Sequence, residues 1–104
     1  AIMLPYIIDY NRKSTDKYDE LEKLLGIDDI AEEIRKLNAS VGISANIKDG
    51  KNTVIEEKDF EEVLDQMSKN AFADACTLTN PRETSAEDIK KIYKAAYYGE
   101  KIDF

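Results

Sequence analysis

The sequence contains no histidine. That removes histidine-based metal sites, Ser-His and Cys-His nucleophile pairs, and the usual general base at neutral pH. Tryptophan is absent too, and a single cysteine, Cys76, excludes any disulfide within the chain and suits a reducing, cytoplasmic setting. Basic residues are outnumbered, 15 against 22 acidic, for a net charge of −7. A nucleic-acid backbone is held by clustered Lys and Arg, so no nucleic-acid partner is expected. The longest apolar run, Ile2-Met3-Leu4-Pro5-Tyr6-Ile7-Ile8, is far short of the ~20 residues that span a bilayer. It also lacks the basic leader and cleavage site of a signal peptide, and no membrane partner is expected. The four glycines, Gly26, Gly42, Gly50 and Gly99, lie far apart and form no phosphate-cradling loop.

What the 104 residues do contain is helical periodicity, in one domain or a large piece of one. The first helix is predicted over residues 2–11. It has almost no polar face before Asp9 and Asn11, so it must be covered on all sides. Nothing in the sequence identifies the cover, and the segment reads as the cut end of something longer. A second helix is capped by Ser14 or Thr15, carries the stripe Tyr18, Leu21, Leu24 and Leu25, and ends at Gly26. A third starts at Asp28 or Asp29, with Glu32 at capping-box spacing from Asp29, and places Ile30, Ile34, Leu37 and Val41 on one face before Gly42. Residues 43–56 are rich in turn formers and read as a loop pinned by Ile43, Ile47, Val54 and Ile55, with Thr53-Val54-Ile55 too short to suggest a sheet. A fourth helix runs from about Glu57 to Lys69, burying Phe60, Val63, Leu64 and Met67, and Ala71, Phe72 and Ala75 extend it or form a following turn. Asn80-Pro81 interrupts the pattern. The fifth helix begins at Thr84 or Ser85, presents Ile89, Ile92, Tyr93 and Ala96, and closes at Gly99. About five helices without a convincing strand define an all-α fold.

The chemistry-bearing residues assemble into no active site at this level. Asp49-Gly50 followed by Glu56 has the look of half a calcium loop, but Ala45 and Ile47 would then occupy oxygen-ligand positions. Adjacent acidic pairs such as Glu32/Glu33 and Glu61/Glu62 point ~100° apart on a helix and do not converge. Cys76 has no histidine to activate it. The tyrosine pairs Tyr6/Tyr10 and Tyr93/Tyr97 suit core packing better than base stacking in so acidic a chain.

Two stretches nevertheless carry a resemblance. Ala1-Ile2-Met3-Leu4-Pro5-Tyr6-Ile7-Ile8-Asp9-Tyr10-Asn11 resembles the segment that follows the last metal-binding histidine in the iron-containing alcohol dehydrogenase family. Ala71 to Arg82, with its Asp-x-Cys-Thr-x-x-Asn-Pro-Arg run, then Thr84, Glu87-Asp88-Ile89 and Ile92-Tyr93-Lys94-Ala95-Ala96-Tyr97, resembles the family's C-terminal signature. The ending Tyr97-Tyr98-Gly99 is similar to butanol and aldehyde–alcohol dehydrogenase relatives. The resemblance implies the C-terminal helical domain of a dehydroquinate synthase-like fold. It implies an intact enzyme that exchanges hydride between NAD(P) and a small alcohol or aldehyde, with iron, or zinc, held by one aspartate and three histidines. All four ligands and the cofactor-binding domain fall upstream of Ala1 in the family pattern, so this segment is expected to hold neither metal nor cofactor, to contain no catalytic residue, and to be inactive alone. Cys76 is the one residue the resemblance places at the substrate cleft, with Asn80, Pro81 and Arg82 fixing the loop. The expected partner is the missing N-terminal half of the enzyme, with self-association through residues 2–11 in its absence. The alternative is a stand-alone interaction module that docks a partner through the same residues.

Overall fold

The computed structural model describes residues 1–51 and 54–104. Asn52 and Thr53, part of the predicted loop, lie outside the described residues. Five helices follow in order: α1 (Met3–Asn11), α2 (Lys17–Leu25), α3 (Ile30–Ser40), α4 (Glu57–Ala73) and α5 (Ala86–Tyr98). Short 3₁₀ turns occupy Arg12–Ser14 and Ala75–Thr79, and no strand occurs among the described residues.

The caps are local chemistry. Asp29 Oδ1 accepts from the Glu32 N–H at 3.1 Å, and Ser85 Oγ accepts from the Asp88 N–H at 3.0 Å, each satisfying an orphan donor of its helix. α2 differs from expectation. Its N-cap is Asp16, which makes no side-chain cap bond, and Thr15 Oγ1 instead accepts from the Lys17 N–H. Pro5 sits in the first turn of α1, where its missing N–H costs nothing. α5 ends at Gly99, φ 76°, in a left-handed turn that returns the Gly99 and Glu100 N–H groups to Ala95 O. The following carbonyls of Ala96 and Tyr97 accept from the Ile47 and Lys48 N–H groups of the loop.

α1 lies between α3 and α5. Tyr6 and Tyr10 pack with Ile92, Ala95 and Ala96 of α5, with Ile47, Ile102 and Phe104 around them. Arg35 of α3 pairs with Asp9 and sits 5.5 Å from the Tyr6 ring. The sequence leaves the cover of α1 unidentified, and α3 and α5 supply much of it. Tyr6, Ile8 and Tyr10 are buried by the chain itself, and half-exposed Leu4 is the most open apolar residue of the helix. Residues 2–11 therefore lack the broad free face that a docking segment needs. A second cluster joins α4 to α5: Phe60 stacks on Tyr97 with centroids 4.1 Å apart and planes 6° apart, above Leu64. The Tyr97 hydroxyl donates to Ile55 O at 2.7 Å.

The outer helices depart from their predicted stripes. On α2, Leu21, Leu24 and Leu25 are exposed and the buried residue is Glu22. Arg12 grips Glu22 with two N–H···O bonds of 2.6 and 3.2 Å, and Glu22 Oε1 also accepts the Ile30 N–H at the start of α3. That polar hub, not the leucines, fixes how α2 faces the rest. On α3, Leu37 and Val41 are exposed while Ala31 and Asn38 are buried. Val63 and Val54 are exposed as well. The chain exposes 6974 Å², against about 5,900 Å² for a free-standing protein of its mass. Its radius of gyration is 14.3 Å, against about 13 Å for a compact domain of this length.

Candidate functional site: a cleft between α1, α5 and the Asp74–Asn80 turn

The most developed apolar cavity is an open cleft of about 470 Å³. α1 contributes Met3, Ile7 and Tyr10; the end of α4 and the turn after it contribute Ala71, Asp74, Cys76, Thr77 and Asn80; α5 and its approach contribute Thr84, Ile89, Ile92 and Tyr93. The structure thus places Cys76, the one predicted site residue, on a cleft wall opposite α1. Met3 and Ile7, anticipated as part of a helix in need of cover, and Tyr93, anticipated as core, line the same space; their helical periodicity carried no signal that distinguishes a cleft wall from a core.

Cys76 is exposed and sits on a 3₁₀ turn whose order comes from hydrogen bonds. Asp74 Oδ1 accepts from the Cys76 N–H at 2.8 Å, the Thr77 hydroxyl donates to Ala71 O at 2.6 Å, and the Thr79 hydroxyl donates to Cys76 O at 2.9 Å. The turn is fastened to α1 by a reciprocal amide pair. Asn11 Nδ2 donates to Asn80 Oδ1 and Asn80 Nδ2 donates to Asn11 Oδ1, both at 2.8 Å, and Asn80 Nδ2 also reaches Arg82 O at 2.6 Å. Arg82 lays its guanidinium 3.8 Å from the Tyr10 ring centroid, and its Nη1 donates to Tyr10 O at 2.8 Å and Phe104 O at 2.9 Å. Asn80 and Arg82 thus spend their polar groups on the protein's own backbone and on Asn11. Thr84 Oγ1 is buried beside the cleft and has no hydrogen-bond partner among the described residues.

A second, polar hollow of about 690 Å³ lies on the other side of α1. Its Arg12 and Arg35 face Asp29, Glu32 and Asp9. Burial works against the Arg35 charge, but the hydrogen bond and charge of Asp9 outweigh it and hold the guanidinium above its ordinary range. Arg12 hydrogen-bonding pulls the Glu22 carboxyl below its ordinary range, helped by the Ile30 N–H. These charges neutralise one another and leave no net field for an ionic ligand.

Neither cavity suits iron. Among the described residues no three of His, Cys, Asp or Glu come together as a ligand set. In the cleft only Asp74 and Cys76 carry donors of that kind, and Asp74 is engaged by the Cys76 N–H. Nor does any glycine-rich turn offer a dinucleotide its pyrophosphate site, since Gly26, Gly42 and Gly99 each serve a separate turn with positive φ. No helix of the described residues is long and apolar enough to cross a membrane.

Residues 1–97 match the family model described as Fe-containing alcohol dehydrogenase family, C-terminal, and the chain belongs to that family. Over 114 aligned residues it is 32% identical to the NADPH-dependent butanol dehydrogenase of Clostridium saccharobutylicum, a match that takes in 100% of this chain and 29% of that protein. It is 34% identical over 104 residues to an alcohol dehydrogenase of Thermococcus barophilus, covering 94% of this chain and 26% of the relative. It is 28% identical over 109 residues to the lactaldehyde reductase of Escherichia coli strain K12, covering 93% and 27%. The chain thus spans less than a third of the length of these relatives. No solved structure matches it.

Proposed function

We propose that residues 1–104 form the C-terminal portion of the helical domain of an iron-dependent, NAD(P)-linked alcohol dehydrogenase that interconverts a primary alcohol and an aldehyde in the cytoplasm. In this reading the metal and the cofactor are held by the remainder of the enzyme, and the segment does no chemistry alone. Its contribution is one side of the pocket for the organic part of the substrate, with Cys76, Met3 and Ile7 on facing walls. The family match over residues 1–97 carries the reading. Two features of the molecule support it. The surface exceeds that of a self-sufficient protein of this mass. Leu24, Leu25, Leu37 and Val41 stand exposed on α2 and α3, as residues do that await a covering surface. That surface would come from the remainder of the enzyme; self-association, if it occurs in its absence, would draw on these residues together with Leu4 rather than on residues 2–11 alone.

The test is replacement. The chain alone and a chimera in which it replaces the corresponding C-terminal part of the butanol dehydrogenase relative are assayed for iron content and for nicotinamide-dependent turnover of butanol and butanal. Turnover by the chimera and none by the chain alone is expected. Turnover by the chain alone, or a folded, iron-loaded chimera without turnover, overturns the reading.

A further inference from the structure

The family match ends at residue 97, yet residues 101–104 make some of the most specific contacts in the molecule. Phe104 sets its ring 6.0 Å from that of Tyr10, at 55°, and its carbonyl accepts from Arg82. Lys91 of α5 places its ammonium 5.6 Å from the Phe104 ring, and Lys13 donates to Asp103 O at 2.8 Å. Ile102 packs against the Tyr6–Tyr10 cluster. The tail is held from both sides, by α5 and by the chain just beyond α1.

We infer that residues 101–104 are a strap that acts through Arg82 to set the position of the cleft wall carrying Cys76. The links are continuous. Phe104 O holds the Arg82 guanidinium against the face of Tyr10, Arg82 O accepts from Asn80 Nδ2, and Asn80 closes the turn that begins at Asp74. A planar guanidinium with two backbone acceptors and an aromatic face has its orientation fixed on three sides. Without the strap, Arg82 keeps Tyr10 O but loses one acceptor, and Tyr10 loses the ring packed beside it. The turn itself has no buried side chain to fall back on. Its position therefore depends on this polar relay more than the helices do, and the strap makes residues beyond the family model's end at residue 97 into positioning residues for the cleft. The inference concerns the cleft's geometry and stands whether or not the proposed reaction is correct.

The test is amide exchange in the 104-residue chain. The Thr77 and Asn80 N–H groups donate to Asp74 O and Thr77 O within the turn, whereas the Ile27 and Ile43 N–H groups donate to Glu22 O and Asn38 O at the ends of α2 and α3. Deletion of residues 103–104 removes the strap's grip; Phe104→Ala keeps the backbone oxygen that accepts from Arg82 and removes only the ring; Phe104→Tyr keeps both. Arg82→Gln breaks the relay in the middle. Deletion and Arg82→Gln are each expected to speed exchange at Thr77 and Asn80 by roughly ten-fold, the worth of one hydrogen bond and an aromatic contact. Ile27 and Ile43 should stay unchanged, and the combined variant should do no more than either alone. At both turn amides Phe104→Ala should be intermediate and Phe104→Tyr as wild type. A uniform rise at all four amides shows that the tail merely stabilises the whole fold and overturns the inference. So does unchanged exchange at Thr77 and Asn80 in Phe104→Ala and Arg82→Gln.

Discussion

Asn11 is 2% exposed, and its side-chain hydrogen bonds all go to one residue, Asn80, 69 positions away. Changing Asn80 to Ala removes three hydrogen bonds and strands both the donor and the acceptor of a buried amide. A buried polar group left unsatisfied costs about 1–3 kcal/mol, so Asn80→Ala should cost about 3 kcal/mol. Changing Asn11 to Ala removes two bonds but leaves Asn80 with Arg82 O and with solvent at its half-buried edge, for about 1.5 kcal/mol on the same scale. In the double variant no amide is stranded, and the total should be about 2.5 kcal/mol, below the sum of the singles by about 2 kcal/mol, as expected for contacting partners. Urea unfolding followed by far-UV circular dichroism measures all four corners of the cycle. Additivity within about 0.5 kcal/mol would refute the claim that this pair fastens the cleft wall to α1.

The other expectations are briefer. Gly99→Ala places a Cβ 3.0 Å from Asn46 Nδ2 at a φ of +76°, and should cost about 1–2 kcal/mol in the same unfolding assay, against no loss for a Glu100→Ala control. Glu22, its carboxyl held low by Arg12 and the Ile30 N–H, stabilises the α2–α3 corner above its ordinary pKa of 4.5 and loses that contribution as pH falls through its lowered folded value. The protection factor of the Ile30 amide, its exchange rate relative to an unstructured amide at the same pH, should therefore fall on acidification below about pH 4.5, and Glu22→Gln should show that loss of protection already at pH 7; no difference between them across this range would contradict the hub. Leu24, 83% exposed, should tolerate Lys with a stability change within about 0.5 kcal/mol, while the same substitution in the chimera should weaken its assembly and turnover; an unaffected chimera would remove α2 from the proposed contact.

What the sequence conveyed follows from how local each signal is. Asp29, Ser85, Gly26 and Gly99 mark helix ends because a cap needs only the residues of its own turn, and the structure uses all four that way. Phe60, Leu64, Ile92 and Ala96 are found buried where their spacing put them. The same spacing misled on α2 and α3. Periodicity identifies the apolar face of a helix but not whether this chain supplies what covers it, so Leu24 and Leu37 read like Leu64 and are not. On α1 the all-round apolar pattern calls for a cover without naming it, and α3 and α5 supply much of it. Family resemblance pointed to Cys76 at a substrate cleft, and in the structure Cys76 lines an apolar cavity. The Asn11–Asn80 pair and the strap at Phe104 were not found, because a hydrogen bond across 69 residues leaves no periodic trace.

The cleft wall is built unlike the rest of the molecule, and the difference bears on function. α1, α4 and α5 are held by buried rings and aliphatic side chains, which resist displacement because any shift opens a void. The Ala75–Thr79 turn buries no side chain, and Leu78 within it is 88% exposed. Its order comes from Asp74, Thr77, Thr79, Asn80 and Arg82 bonding to backbone and to Asn11. A wall made this way can present a small polarisable side chain such as Cys76 to a cleft without burying it, and its position can be altered by breaking one bond rather than repacking a core. Under the function proposed above, that arrangement offers a route to change the size of the pocket while the helices stay in place. Substitutions at Asn80 and Arg82 in the chimera should accordingly shift the preference between short and long alcohols more than they shift the melting temperature, whereas Leu64→Ala should do the opposite.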